Sequence, residues 1–161
     1  MLIKEMTAKE CRDFLARIHF GRLGCSLDNE PYVVPIYFAY QADHLYAFST
    51  VGQKIEWMRA NPKVCVEADE VTDQFHWTSV IVSGHYRELP DTPEFSSERR
   101  TAQLELEQRM LWWETAYAAE QFRARSESFA PVFYSIHISS LTGRRAIPDA
   151  VDSTFLDIAP P

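Results

Sequence analysis

The sequence predicts an α+β protein built on an antiparallel sheet of roughly six or seven strands, with helices between them. Apolar and polar residues alternate in short segments such as Lys63–Asp69 (KVCVEAD), which is typical of half-buried strands. Turn residues such as Gln41-Ala42-Asp43 separate neighbouring strands and predict hairpins. Helical periodicity is confined to a segment near the N-terminus, one after Gly52 and one after Pro93.

Length and composition limit the architecture and the partners. At 161 residues the chain fits one domain, expected over residues 1–148, followed by a tail at 149–161 that is poorly ordered or lies against a neighbour. A formal net charge of −7 argues against a general binder of nucleic acid or anionic membranes, while a small anionic ligand remains compatible. Apolar runs are too short for a membrane span. The three scattered cysteines and the lack of a signal peptide favour a cytoplasmic protein with reduced thiols.

The first helix is predicted from a capping box at Thr7-Ala8-Lys9-Glu10. Gly21 is expected to end this helix, and Asn61-Pro62 to end the helix after Gly52. A third helical region should run from Asp91-Thr92-Pro93 to about residue 125.

Two strands carry irregularities that the sequence predicts. Pro35 lies inside the apolar segment Tyr32–Tyr40 and cannot donate to a ladder, so this strand should be bulged or at an edge. Gly84 marks a bulge or close approach inside Trp77–Leu89. Near the C-terminus, a strand at Val132–Ser139 should be followed by a turn at 142–146 into a short last strand.

The segment Tyr46–Pro62 (YAFSTVGQKIEWMRANP) contains the groups that a phosphate needs. Ser49 and Thr50 end a strand, and Lys54 lies in the first turn of the helix that follows. Hydroxyls and free backbone N–H groups can donate, and the helix N-terminus and the lysine supply positive charge. The order of a Walker A loop is absent. On these residues alone, a capped helix with a solvated lysine is the preferred interpretation.

Five segments in a specific order resemble the FMN-binding split-barrel family related to pyridoxamine 5′-phosphate oxidase, nearest its nitroimidazole-resistance-like branch. The segments are GRLGCSL (21–27), PYVVPIYFAY (31–40), LYAFSTVGQKIEWMRANPKVCVEAD (45–69), WTSVIVSGHYREL (77–89) and TGRRA (142–146). The resemblance implies a six-stranded antiparallel split β-barrel with flanking helices, and a homodimer with FMN sites at its interface. A symmetric dimer would also bury apolar surface that a monomer tolerates poorly.

The resemblance places the flavin phosphate at the turn before the second helix. It assigns Ser49, Thr50 and Lys54 as phosphate ligands, with Gln53 as an addition. The arginine and lysine of the R-x-x-L-L-K strand in true pyridoxamine phosphate oxidases are missing from residues 32–37, which argues against that activity. Arg22 or Arg59 could add positive charge.

The flavin ring would occupy an apolar slot with free main-chain groups along one edge. The resemblance assigns this role to four consecutive residues, Val34, Pro35, Ile36 and Tyr37. Trp77 and Ser79 resemble a stretch that reaches the flavin from the strand bordering the interface, with core packing as the alternative for Trp77. Arg144 and Arg145 could meet phosphate, a substrate carboxylate or surface acids.

These expectations favour an FMN-dependent oxidoreductase acting on a small molecule, with nitroreductase-like or pyridoxamine-phosphate-oxidase-like chemistry. A non-catalytic FMN-binding or redox-sensing dimer is the alternative, and a structural dimer without a working site is a third interpretation. Haem-degrading and deazaflavin-dependent relatives fit less well, since the tail has no histidine and the chain is acidic. The five histidines lack metal-ligand spacing, so no metal is expected. No general acid or base is assigned, because the flavin would carry the chemistry.

Overall fold

The computed structural model of the chain describes residues 1–109 and 131–148. Within these ranges the elements follow one another as β1 (Leu2–Glu5), α1 (Ala8–Arg17), β2 (Phe20–Leu27), β3 (Glu30–Tyr37), β4 (Ala39–Gln41), β5 (His44–Ser49), α2 (Gln53–Ala60), β6 (Lys63–Asp73), β7 (His76–Glu88), α3 (Ser96–Arg109) and β8 (Val132–Ile147). The predicted α+β class is confirmed. None of the described helices has the length and hydrophobicity needed to cross a bilayer.

The strands form one antiparallel sheet in the order β3-β2-β6-β7-β8-β5-β4, with β1 added to β8. The first six residues of the long strand β8 pair with β5, and its last four pair with β1. Only Phe38 separates β3 from β4 in the chain. One continuous segment therefore forms both ends of the sheet and brings them together, an arrangement consistent with a split barrel.

The main apolar core lies between the sheet and helices α1 and α2. The buried helical side chains are Cys11, Phe14, Leu15, Ile55 and Met58, and those of the sheet include Leu23, Val66, Val80, Val82, Tyr134 and Ile136. Each large side chain fully buried in this way stabilises the fold by about 1.5–3 kcal/mol. A second cluster packs α3 on β4, β5 and β8 through Ala102, Leu106, Ala39, Tyr46 and Phe133. In the main core, Ile55 and Met58 hold α2 in place directly after the end of β5.

Several local predictions are confirmed. The Thr7 hydroxyl accepts from the Glu10 N–H at 3.3 Å, and the Glu10 carboxylate accepts from the Thr7 N–H at 2.8 Å. The turn residues Ala42 and Asp43 have φ of 48° and 60°, as a two-residue hairpin requires. α2 ends at Ala60, directly before Asn61-Pro62.

The two predicted strand irregularities are also found. Pro35 lies in β3, the first strand of the sheet order, opposite Arg22. The register between β7 and β8 shifts at Ser83/Gly84. A Cβ atom at Gly84 would lie 2.5 Å from the carbonyl oxygen of His137, so this position requires glycine for a close approach of the two strands.

The expectation that Gly21 ends the first helix is wrong. α1 already ends at Arg17, and Gly21 lies inside β2. A Cβ atom there would lie 2.5 Å from the carbonyl oxygen of Glu67, so the glycine permits close approach of β2 and β6.

The predicted C-terminal turn at 142–146 is also wrong. These residues continue β8, because they pair with β7 on one side and partly with β1, a strand the sequence did not reveal, on the other. The third helix begins at Ser96 rather than at residues 91–93. The rest of that predicted helix, to about 125, and the predicted tail at 149–161 lie outside the described residues.

Candidate functional site

The turn between β5 and α2 holds the residues that the resemblance assigns to the flavin phosphate. Ser49 is the last residue of β5, and Gln53 and Lys54 are the first two residues of α2. No side chain among the described residues caps this helix, and the Ser49 hydroxyl donates to the Thr50 carbonyl at 3.1 Å instead. Backbone N–H groups of the first turn therefore stay available to an external acceptor.

Lys54 is held in an unfavourable position for a cation. Its side chain is half-buried, and this burial lowers the pKa of its ammonium group. It lies at the positive end of the helix dipole, where a cation is disfavoured. No carboxylate pairs with it in the described ranges 1–109 and 131–148. A bound phosphate would relieve all of these costs together.

Most other cations of the described chain already have carboxylate partners. The pairs are Lys9–Asp13, Arg12–Asp43, Arg17–Glu70, Arg22–Glu67, Arg22–Asp69, Arg59–Glu88, Arg87–Glu98 and Arg145–Glu10. Arg22 and Arg59, which the sequence offered as further phosphate cations, are both engaged in this way. The structure therefore leaves Lys54 as the principal cation at the turn.

The four residues predicted for the flavin ring lie on β3. Val34 is half-buried and Ile36 is buried, whereas Pro35 and Tyr37 point to the exposed face. β3 pairs with β2 only, so its other edge carries no strand among the described residues. Ala39 lies opposite Tyr46 in the β4–β5 pair, and continuing this register would set Ile36 opposite Ser49. The predicted ring residues and the phosphate turn thus flank the same opening in the sheet.

Trp77 and Ser79 lie elsewhere. Both are half-buried residues of β7, and Trp77 belongs to neither core cluster, which disfavours core packing as its role. Ser79 pairs with Asp69 of β6. In the sheet, β6 and β2 lie between the strand of Ser79, β7, and the strand of Tyr37, β3, so the two residues are three strand spacings apart. With strands about 4.8 Å apart, that separation is roughly 14 Å. One chain therefore does not bring Trp77 and Ser79 to the β3–α2 opening.

The strand face turned away from the main core is exposed and carries both apolar and polar side chains; we call it the outer face. Its exposed side chains include Phe20, Val33, Tyr37 and Ile81, of which Val33 is 64% exposed. Between them, Gly24, Cys65 and Ser83 are paired across β2, β6 and β7 and form the floor of a groove of about 500 Å³. Exposed apolar side chains beside a groove are typical of an interaction site.

The sequence did not reveal a polar network on this face. Arg22 contacts the carboxylates of both Glu67 and Asp69, and the Ser79 hydroxyl donates to Glu67 at 2.9 Å. The participants come from three strands, and only the period-two alternation of each strand could have placed them on one face. Ser79 is thereby oriented by Glu67.

Comparison with known proteins agrees with this geometry. A family model described as pyridoxamine 5′-phosphate oxidase matches residues 7–145. An uncharacterized protein of Rhizobium meliloti (strain 1021) is 38% identical over 146 residues, covering 91% of this chain and 97% of that protein.

Solved structures show the same fold. The crystal structure of an FAD-binding protein from Mesorhizobium loti is 42% identical, with a TM-score of 0.75, and the match covers 92% of this chain and 99% of that one. A candidate 5-nitroimidazole antibiotic resistance protein from Bacteroides thetaiotaomicron is 20% identical with a TM-score of 0.64, covering 90% of this chain and 89% of that one, and shows the fold alone. The family model and the Mesorhizobium loti structure both match most of this chain. The chain therefore belongs to the pyridoxamine 5′-phosphate oxidase-like family.

Proposed function

We propose that this protein binds FMN and acts as an oxidoreductase on a small-molecule substrate. The observation that carries the proposal is Lys54, a half-buried lysine without a carboxylate partner in the described residues, in the first turn of an uncapped helix. A single phosphate monoester matches this set of one cation, two hydroxyls and free N–H groups. Lys54, Ser49, Thr50 and Gln53 would hold it.

The chain's own part in the reaction is to hold and orient the cofactor. Val34, Pro35, Ile36 and Tyr37 would line the ring. The edge of β3 that pairs with no described strand would offer main-chain donors and acceptors. A bound flavin supplies hydride acceptance and transfer. The chain needs no dedicated general acid or base for this, and we assign none.

We further propose that two chains associate through the outer face and share each flavin site. Phe20, Val33, Tyr37 and Ile81 would become buried, as expected of a self-complementary dimer interface. Trp77 and Ser79 of a second copy would then approach the flavin held by β3 and α2 of the first. This arrangement explains why one chain keeps the two groups of predicted residues apart.

The proposed barrel has six strands. If β3 and β4 are counted as one strand interrupted at Phe38, they join β2, β5, β6, β7 and β8, with β1 as an addition on β8. We propose that residues 1–148 form this single domain. The cysteines Cys11, Cys25 and Cys65 are all free thiols, which supports the proposal of a reducing, cytoplasmic location.

FAD is the second candidate cofactor. The 42% identical protein of Mesorhizobium loti is an FAD-binding protein, and its fold matches 92% of this chain. FAD carries a second phosphate and an adenosine group, which would need cations and space beyond the Lys54 turn. Chromatography of the flavin released from purified protein distinguishes FMN from FAD.

Reduction kinetics test the oxidoreductase activity. Protein loaded with flavin is mixed anaerobically with NADH or NADPH, and bleaching of the flavin absorbance is followed; a nitroaromatic acceptor is then added. Reduction followed by repeated turnover is the expected result. A flavin that binds tightly but is reduced by neither donor would instead support the non-catalytic, redox-sensing alternative.

A further inference from the structure

A cavity of about 660 Å³ opens at the ends of β7 and β8, away from the β5–α2 turn. Its lining includes Glu5, Trp77, Ser79, Ile81, Thr142 and Arg144. Its volume lies within the range of small-molecule sites, about 300–1,000 Å³. The wall formed by β7 holds Trp77 and Ser79, which the proposed function places against the flavin. The wall formed by β8 and β1 has no role in that function.

Arg144 is the distinctive group of the second wall. It lies directly opposite Ser79, so the two side chains share one face and their Cβ atoms are about 5 Å apart. Among the arginines on described strands, Arg144 is the one for which the structure gives no carboxylate partner. Its neighbour Arg145 points to the other face and binds Glu10 at 2.8 Å. Two adjacent arginines thus have different surroundings, and only Arg144 lines the cavity.

We propose that Arg144 binds the carboxylate of the substrate, so that the enzyme prefers planar aromatic monocarboxylates to their neutral analogues. This inference rests on the proposed function, because Trp77 and Ser79 are what bring the cavity beside the flavin. The flavin phosphate is already accounted for by Lys54 at the other end of the sheet. Arg144 forms no ion pair with a carboxylate of the described residues, and Trp77 lines the same cavity. The planar guanidinium fork and the apolar face of the indole would together hold a flat acid.

Glu5 further restricts the class of ligand that the cavity can bind. It is the strand partner of Arg144 on β1 and also lines the cavity. Its negative charge disfavours a second acidic group on the ligand, because like charges repel at this range. The cavity therefore selects a single carboxylate.

The test compares 4-nitrobenzoate with 4-nitrobenzamide, which have nearly the same shape but differ in charge. Binding to FMN-loaded protein is measured by the perturbation of the flavin absorbance. We expect the carboxylate to bind about five- to tenfold more tightly than the amide. Arg144→Gln should abolish this preference without changing amide or FMN affinity. Arg145→Gln, the matched control with the same charge change, should preserve the preference.

Glu5→Gln provides a change in the opposite direction. Removing the neighbouring charge should tighten carboxylate binding about two- to fivefold and leave the amide unaffected. Equal binding of the two probes by the wild type, or an unchanged preference in Arg144→Gln, would overturn the proposal. Loss of FMN affinity in Arg144→Gln would assign Arg144 to the cofactor and also overturn it.

Failure of the proposed function would give a different result. If the protein takes up no FMN, the same two probes are titrated against intrinsic tryptophan fluorescence. A carboxylate preference that depends on Arg144 would then support the anion site while the flavin proposal fails. Absence of any preference would reject the anion site as well.

Discussion

Replacing Lys54 by methionine should affect flavin binding and the stability of the empty protein in opposite directions. Methionine has nearly the same length but no charge, so the change removes one charge-assisted hydrogen bond to the phosphate. Such bonds contribute about 1.5–3 kcal/mol, so their loss should raise the dissociation constant for FMN roughly 10- to 150-fold. FMN titration followed by flavin fluorescence measures this loss.

The empty protein should become more stable in the same variant. Burial lowers the pKa of Lys54, which means that the fold disfavours its charged form. An apolar side chain avoids this cost, and we expect a gain of about 0.5–1 kcal/mol, at the lower end of the range for single stabilising substitutions. Urea unfolding without flavin measures the gain.

Lys63→Met is the matched control. Lys63 is an exposed lysine beyond the C-terminal end of α2, whereas Lys54 lies in the first turn of this helix, which is about 12 Å long. It should leave FMN affinity unchanged. The reasoning is refuted if Lys54→Met binds FMN as tightly as the wild type, or if Lys63→Met weakens binding equally.

Three further results are expected. Burial lowers the pKa of Lys54 below the ordinary lysine value of 10.5, and the side chain loses its positive charge as the pH rises through this lowered pKa. FMN affinity should therefore begin to fall below pH 10.5 as the pH is raised, and Lys54→Met should show no such fall. Co-expressed Lys54→Met and Trp77→Ala chains should regain one strong FMN site per mixed dimer, and no recovery in equilibrium dialysis would contradict a shared site. Gly84→Ala should destabilise by about 1–3 kcal/mol in urea melts, since its Cβ would lie 2.5 Å from a carbonyl oxygen, whereas Gly52→Ala meets no atom within 4 Å and should cost less than half as much.

Features that depend on local rules were predictable from the sequence. The capping box at Thr7, the Ala42-Asp43 turn and the edge position of Pro35 follow from single residues or short motifs, and all three are found. β1 was not predictable, because its four residues are exposed and it exists only through pairing with β8. Gly143 suggested a turn, but a Cβ there would lie 2.6 Å from the Cys11 sulfur, so it permits α1 to pack closely on a continuous strand.

The sequence alone could bring the residues of the proposed phosphate turn together, but it could not give their electrostatics. Ser49, Thr50 and Lys54 lie within one six-residue segment, so their proximity needed no tertiary information. Which cations remain unpaired depends on contacts between strands that are far apart along the chain, such as that of Arg22 with Glu67. The separation of Trp77 from the β3 opening likewise depends on strand order.

The most direct test of the central claim is the visible absorbance spectrum of the purified protein after equilibration with FMN and removal of free flavin by gel filtration. We predict a yellow protein that retains about one flavin per chain, with vibrational structure in the flavin bands typical of a ring in an apolar slot. Protein that elutes colourless and leaves all added FMN in the small-molecule fraction would contradict the account.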